Sequence, residues 1–206
     1  MIPAREAFEL LRDGNGRFAA GTPTHAGLGG PTRRDQLIGG QTPFAVVLGC
    51  SDSRVPVEIV FDRDLGDLFV IRVAGNIVAS SQIGSVEFAA QQFGTRLVVV
   101  LGHSGCGAVL ATLEELRRAS DNRSPGLRSI VDRIRPTVEE LLGTHLAIDE
   151  DALLEHAVRA NVRASANHLR HGSEILERSI RDDGLVVVGG LYSLETGIVD
   201  FFDGAP

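Results

Sequence analysis

The segment LVVVLGHSGCG, residues 97–107, decides how the fold is predicted, because it joins an apolar run to a cluster of reactive side chains. Its first six residues are almost all β-branched or leucine and end at a glycine, which is typical of a strand buried on both faces. Three further runs have the same character: FAVVLG (Phe44–Gly49), LFVIRV (Leu68–Val73) and LVVVGG (Leu185–Gly190). Such uniformly apolar strands favour a parallel sheet covered by helices on both sides.

Helical periodicity fills the spaces between these strands. Apolar residues fall largely on one helical face within Ser81–Phe93, Gly107–Ala119 and Asp151–Leu169. A last apolar run, Ile198–Phe202, follows the turn-like sequence Glu-Thr-Gly at 195–197 and predicts an antiparallel edge strand. The predicted fold class is therefore α/β, with a mostly parallel β-sheet flanked by helices and an antiparallel edge strand.

The first forty residues differ from the rest of the chain. A short amphipathic stretch around Phe8 and Leu11 is followed by Gly21–Gly40, which is rich in Gly, Pro and Thr and has no apolar stripe. Because such a segment cannot form a core alone, we expect residues 1–40 to be an N-terminal helical arm that packs across the body or onto a partner subunit. We find no internal repeat or domain boundary, so residues 1–206 are predicted to form one domain.

Composition and charge exclude several classes of function. The 206 residues are 43% hydrophobic, and no apolar run approaches the roughly 20 residues that cross a bilayer, so we expect no membrane partner. The N-terminal segment has no secretory signal, which predicts a cytoplasmic protein. Twenty scattered arginines and a net charge of −7 argue against a nucleic-acid partner. The chain has no lysine, which excludes Schiff-base chemistry and phosphate-loop lysines.

Reactive side chains follow two of the predicted strands directly. The sequence CSDSR (residues 50–54) begins where the first strand ends, and HSGCG (residues 103–107) begins where the third ends. Because functional groups collect beyond the carboxyl ends of strands in open α/β sheets, Cys50, His103 and Cys106 are expected to converge. Two thiolates and an imidazole are ligands that zinc prefers, and three protein ligands leave a fourth position for water.

Other interpretations of these residues stay open at this point. The two cysteines could be small buried hydrophobic residues or a redox pair. Neither interpretation uses Asp52 and Arg54, which lie two residues apart and could pair in an extended turn. A carboxylate held by arginine beside zinc could orient the nucleophilic water, or it could bind the metal and block it. Alternatively, the Asp52–Arg54 pair could only stabilise the turn and have no catalytic role.

These motifs resemble those of the β-class carbonic anhydrases, whose signatures are Cys-x-Asp-x-Arg and His-x-x-Cys. The segments LLRDGNGRF, LGDLFVIRVAGN and GLYSLETG are also similar to family segments, so the resemblance covers most of the chain. It implies a Zn²⁺ ion bound by Cys50, His103 and Cys106 and a catalytic dyad of Asp52 and Arg54. It also implies that Asp52 can become a fourth zinc ligand in an inactive state.

The resemblance further implies an activity, a substrate and an assembly. The activity is the reversible hydration of carbon dioxide to bicarbonate and a proton. By resemblance, the substrate-binding residues are Gln41, Phe69, Phe88 and Gly107, and Phe88 departs from the tyrosine common in plant-type members. The assembly is a homodimer or homotetramer in which a neighbouring subunit completes each pocket.

Two other functions remain compatible with the sequence. The same zinc site could act on another small linear electrophile such as carbon disulfide, because pocket access and not the ligand set would distinguish the two substrates. A non-catalytic homologue could keep the fold for assembly or sensing. The presence of all three ligands together with Asp52 and Arg54 argues against that second function.

Overall fold

The computed structural model describes residues 2–24, 29–118 and 124–206. It contains a five-stranded sheet in the order β2-β1-β3-β4-β5. The strands are β1 (Ala45–Gly49), β2 (Leu68–Arg72), β3 (Leu97–His103), β4 (Val186–Tyr192) and β5 (Val199–Asp203). Strands β1 to β4 pair in parallel and β5 pairs antiparallel to β4. The mostly parallel sheet with an antiparallel edge strand is therefore confirmed.

Helices cover both faces of this sheet. They are α1 (Ala4–Ala19), α2 (Pro31–Leu37), α3 (Val57–Val60), α4 (Ser80–Gln92), α5 (Gly107–Arg117), α6 (Pro125–Val138), α7 (Glu150–His171) and α8 (Glu174–Asp182). Short 3₁₀ turns lie at Ala74–Asn76, Glu139–Gly143 and His145–Ile148. The three predicted helices are found with ends within two residues, apart from Ala119, which lies outside the described residues. None of the helices described has the length and apolarity to span a bilayer.

The uniformly apolar strands are explained by burial on both sides. Side chains alternate between the faces, so Val47, Val99 and Val188 pack on the side of α1 and α3. Their neighbours Val46, Val98 and Val187 pack on the opposite side, in the cluster that includes residues of α4, α7 and α8. Because water reaches neither face at the centre of the sheet, these strands show no polar alternation.

The fourth strand continues past the glycine pair at which the sequence pattern predicted its end. Gly190 pairs with Leu101 of β3, and β4 extends to Tyr192. A Cβ atom at Gly189 would lie 3.0 Å from Val162 Cγ1, and one at Gly190 would lie 3.2 Å from Val199 Cγ1. The glycines therefore allow close packing within a continuing strand and do not end it.

The N-terminal helix packs against the body of its own chain, which was one of the two expected placements. Ala7 and Leu11 are fully buried in the core on one face of the sheet. The Asn15 side chain donates to the carbonyl oxygens of Val60 (3.2 Å) and Gly197 (2.8 Å), and its Oδ1 accepts from the Val199 amide (2.8 Å). One amide side chain thus connects α1 to the edge strand β5.

Carboxylates in the loop before β2 hold the segment that follows α1. Asp62 is almost completely buried and accepts hydrogen bonds from Arg17 Nε (2.6 Å), the Thr24 amide (3.0 Å) and Thr24 Oγ1 (2.8 Å). Asp64 accepts from the Gly29 amide at 2.9 Å, and Asp67 accepts from Arg33 at 2.7 Å. None of the residues described between 20 and 40 is buried, so these charge-assisted bonds fix the course of the arm.

We expect the Asp62→Asn variant to be less stable than the wild type. Asparagine tolerates the left-handed backbone of this position (φ 46°), so the change mainly removes the charge that Arg17 and Thr24 contact. The free energy of unfolding should fall by about 1–3 kcal/mol in urea denaturation. Asp132→Asn is the control, because that carboxylate is 56% exposed and lies 3.9 Å from Arg135. Equal losses in both variants would show that Asp62 does not anchor the arm.

Candidate metal centre

Two cysteines and one histidine converge at the carboxyl edge of the sheet. Cys50 directly follows β1, His103 is the last residue of β3, and Cys106 is the N-cap residue of α5. Their ligand atoms all lie within 4.8 Å of one another, and all three residues are buried. Neighbouring parallel strands end side by side, so the topology itself brings these distant sequence positions together.

The orientation of the imidazole fits a metal ion. His103 Nδ1 lies 3.0 Å from the Ser104 carbonyl oxygen, which can only accept, so Nδ1 carries the proton. The other ring nitrogen, Nε2, is buried and has no hydrogen-bond partner among the described residues. A buried nitrogen lone pair facing two sulfur atoms is costly unless something binds it. The donor set of two sulfurs and one nitrogen is suited to zinc.

The two thiols shift each other's ionisation in opposite directions. Contact with Cys106 lowers the pKa of the Cys50 thiol, and His103 and the Gly75 amide add to the effect against the opposing influence of burial. The same contact, together with burial, raises the pKa of Cys106, because a second negative charge beside the first is unfavourable. Burial disfavours a charge on His103, but the Cys50 thiolate outweighs it and raises the imidazole pKa.

Asp52 lies beside this cluster and is held by Arg54. Arg54 Nε donates to Asp52 Oδ1 (3.0 Å) and Nη2 donates to Oδ2 (2.7 Å), a bidentate pair supported by the Arg54 backbone amide at 3.0 Å. These hydrogen bonds keep the pKa of Asp52 well below its usual range. Asp52 Oδ2 is 3.8 Å from His103 Nε2. An ionised carboxylate of fixed direction therefore adjoins the three ligand atoms.

Sequence reasoning missed Arg72 as part of this site. Its Nε donates to the Cys50 carbonyl oxygen at 3.0 Å, and its Nη2 donates to the Asp52 carbonyl oxygen at 2.6 Å. Arg72 thus fixes the backbone turn that carries both residues. The available signal was a single charge at the end of the apolar run LFVIRV, at the same edge of the sheet as Cys50.

Sequence reasoning also missed the contact of Cys50 with the Gly75 backbone, which Asn161 supports. The Gly75 amide donates to Cys50 Sγ at 3.3 Å. The Gly75 carbonyl oxygen accepts from the Asn161 side chain of α7 at 2.7 Å. Asn161 is 86 residues away in sequence from Gly75, and no local pattern connects the two.

The residues that the resemblance assigned to substrate binding do not all lie here. Gly107 is exposed and adjoins Cys106 as the first residue of α5. Phe69 pairs with Val46, four residues before Cys50, so it lies about 13 Å further down the sheet. Phe88 is 50% exposed with its ring 6.1 Å from that of Phe69, and Gln41 precedes β1 at the amino edge. Gln41, Phe69 and Phe88 are thus remote from Cys50, His103 and Cys106 of their own chain.

Comparison with known proteins identifies the family. The family model described as "Carbonic anhydrase" matches residues 45–199. The chain is 38% identical over 193 residues to "Carbonic anhydrase 2" of Mycobacterium tuberculosis, covering 93% of this chain and 89% of that protein. This chain belongs to the β-carbonic anhydrase family. It is also 38% identical to a protein named carbonic anhydrase from Mycolicibacterium smegmatis, with 94% and 91% of the two chains covered.

Solved structures of the β-carbonic anhydrase family share the fold. A β-carbonic anhydrase of Aspergillus fumigatus superposes with a TM-score of 0.75 at 26% identity, covering 85% of this chain and 83% of that chain. Two tetrameric β-carbonic anhydrases from Sordaria macrospora are described together, and the match there has a TM-score of 0.71 at 26% identity over 96% and 97% of the chains. The mostly parallel sheet with its antiparallel edge is thus the family's architecture.

We expect the apparent affinity of this centre for Zn²⁺ to rise with pH. Metal binding requires thiolates and a neutral imidazole, whereas the raised pKa values favour protons on Cys106 and His103 in the metal-free protein. Cys50, with its lowered pKa, contributes little to this dependence. Titration with zinc in weak buffer should release about one to two protons per ion. Binding without proton release would contradict this ionisation pattern.

Proposed function

We propose that this protein is a zinc-dependent carbonic anhydrase that catalyses the reversible hydration of carbon dioxide to bicarbonate and a proton. The observation that carries the proposal is the buried Cys50, His103 and Cys106 cluster with an ionised Asp52 fixed beside it. Membership of the family and relatives named carbonic anhydrases at 38% identity support the same activity.

Cys50, His103 and Cys106 would hold the ion. The two sulfurs and His103 Nε2 come from strand and helix ends, and the Ser104 carbonyl oxygen sets the orientation of the ring. When bound, Zn²⁺ lowers the pKa of water and so supplies a hydroxide nucleophile near neutral pH. Three protein residues would hold the ion, one fewer than in a typical structural zinc site.

Asp52 orients the nucleophile in this proposal. Its pKa is far below its usual range, so the carboxylate accepts a hydrogen bond from the nucleophile and has no proton to donate. The bidentate contact with Arg54 limits its rotation and holds both oxygens. If Arg54 were removed, the freed carboxylate could become a fourth metal ligand and displace water. Arg54 would therefore keep Asp52 away from the ion as well as orienting it.

Substrate binding in this proposal needs a second copy of the chain. Gln41, Phe69 and Phe88 lie toward the amino edge of the sheet, away from the ligands of their own chain, so they could line a metal centre only from a neighbouring subunit. The half-exposed ring of Phe88 packs with Phe69 and Phe93 in an aromatic cluster that a neighbour could reach. The tetrameric Sordaria macrospora relatives support a homodimer or homotetramer.

No specific observation favours the two alternative functions. Carbon disulfide would require the same ligands, and nothing in the site selects it over carbon dioxide. A non-catalytic role would remove the constraint on Asp52 and Arg54, yet the pair is present with bidentate geometry. Carbon dioxide hydration is therefore the function that we propose.

The direct test is stopped-flow measurement of carbon dioxide hydration on protein whose zinc content has been counted. We expect about one zinc per chain and a rate that depends on it. Cys106→Ser should bind zinc poorly and lose activity in proportion. Full zinc occupancy and the wild-type rate in that variant would overturn the ligand assignment, and a zinc-loaded wild type without hydration activity would overturn the function.

We expect Arg54→Ala to keep its zinc and to lose about 10–100-fold in hydration rate. The rate of the wild type should climb with pH, because water must lose a proton to become the nucleophile. In the variant this rise should move to higher pH, because a freed Asp52 competes with hydroxide for the open position. Stopped-flow rates across pH measure both effects.

Arg181→Ala is the matched control for this experiment. Arg181 makes a similar two-point contact with Asp182 (2.9 and 3.1 Å) and is also largely exposed, but it lies on α8, outside the centre. Its pH profile should equal that of the wild type. If the pH profile of Arg54→Ala equals that of this control, the Asp52–Arg54 pair only stabilises the turn.

A further inference from the structure

The Gly75 backbone contacts Cys50, one of the proposed zinc ligands. Gly75 does so in a left-handed conformation that leaves no space for a side chain. Its φ is 71°, and a Cβ atom there would lie 2.8 Å from Ile134 Cδ1 and 3.1 Å from Ala108 Cβ. In this conformation its amide N–H points at Cys50 Sγ, 3.3 Å away. A backbone N–H directed at a buried sulfur fixes the direction of the thiolate lone pairs and reduces the negative charge available on it.

The turn that carries Gly75 is closed by one backbone hydrogen bond, from the Asn76 amide to the Val73 carbonyl oxygen at 3.0 Å. Asn76 also has a left-handed backbone (φ 43°), so two successive residues leave the common conformational regions. The Asn76 side chain is completely buried and makes no hydrogen bond within the described residues. The turn therefore depends on neighbouring elements to keep its shape.

Asn161 supplies that support from another part of the fold. Its Nδ2 donates to the Gly75 carbonyl oxygen at 2.7 Å, and the residue is 2% exposed on α7. Helix α7 packs on β3 and β4, so Asn161 is attached to the rigid centre of the sheet. The carbonyl and the amide of Gly75 are thus held at the same time, one by Asn161 and the other by Cys50.

We propose that Asn161 is a positioning residue for the metal centre, which fixes the Gly75 turn so that its N–H stays bonded to the Cys50 sulfur. This inference rests on the proposed function, because it takes Cys50 to be a zinc ligand. Without Asn161, the Gly75 carbonyl is a buried acceptor with no donor from α7, and the turn relaxes toward ordinary backbone angles. Cys50 then loses a hydrogen bond that both orients it and draws charge from it.

The test compares Asn161→Leu and Asn161→Ala with the wild type in two measurements. Zinc affinity is measured by competition with a chromophoric chelator, and we expect it to fall about 10–100-fold in both variants. The second measurement is the thiolate-to-metal charge-transfer band after substitution with Co²⁺. Loss of the N–H···S bond raises the energy of the sulfur lone pair, so this band should move to longer wavelength.

Ser165→Ala is the matched control, because Ser165 lies one turn further along α7 and is equally inaccessible at 5% exposure. It should leave zinc affinity and the cobalt band unchanged. Asn161 variants with the wild-type band, or with affinity no lower than the control, overturn the proposal while leaving the proposed function intact. If Asn161→Leu does not fold, Asn161→Ala decides the question. A wild type that binds no zinc overturns both proposals.

Discussion

The structure depends on the side-by-side pairing of β1 and β3 in parallel. Gly49 pairs with Leu101, so the chain leaves both strands at the same edge with Cys50 and His103 only a few residues beyond the paired positions. Both strands are buried on both faces, which fixes their register: a slip of one residue would turn every side chain to the opposite face. Hydrophobic packing at the sheet centre therefore determines the separation of the ligand atoms at its edge.

Strand pairing alone places Cys50 and His103 only approximately. Polar contacts around them define the geometry of the site. Arg72 holds the backbone of the Cys50–Asp52 turn, Arg54 holds the Asp52 carboxylate, and Gly75 donates to the Cys50 sulfur. The Ser104 carbonyl oxygen sets the tautomer of His103. Together these contacts fix the orientation of the side chains in the cluster.

The two edges of the sheet have different roles in this arrangement. The carboxyl edge carries the ligands and the Asp52–Arg54 pair, whereas Gln41 and the exposed ring of Phe88 lie toward the amino edge. If Gln41, Phe69 and Phe88 contact substrate as proposed, they would do so at the metal centre of a neighbouring subunit. The N-terminal helix packs against its own chain through Asn15 and the buried face around Leu11.

The sequence by itself determined the sheet type, three of the helices that cover it, and the convergence of Cys50, His103 and Cys106. It could do so because buried parallel strands leave uniformly apolar runs and because parallel strands end at a common edge. It also indicated the Asp52–Arg54 pair, since that contact spans only two residues. The continuation of β4 past Gly190 was not predictable from the run itself, because glycine ends a strand in one context and admits a close neighbour in another.

Only the tertiary structure decided which distant groups support the site and which assigned residues lie away from it. Asn161 reaches Gly75 across 86 residues, a contact that exists because α7 packs on β3 and β4. The positions of Gln41, Phe69 and Phe88 relative to Cys50 likewise follow from strand direction and register, which no local pattern specifies. Local sequence determines whether a segment prefers to form a helix or a strand. Long-range packing determines which polar groups come into contact, because those contacts depend on the relative placement of whole elements.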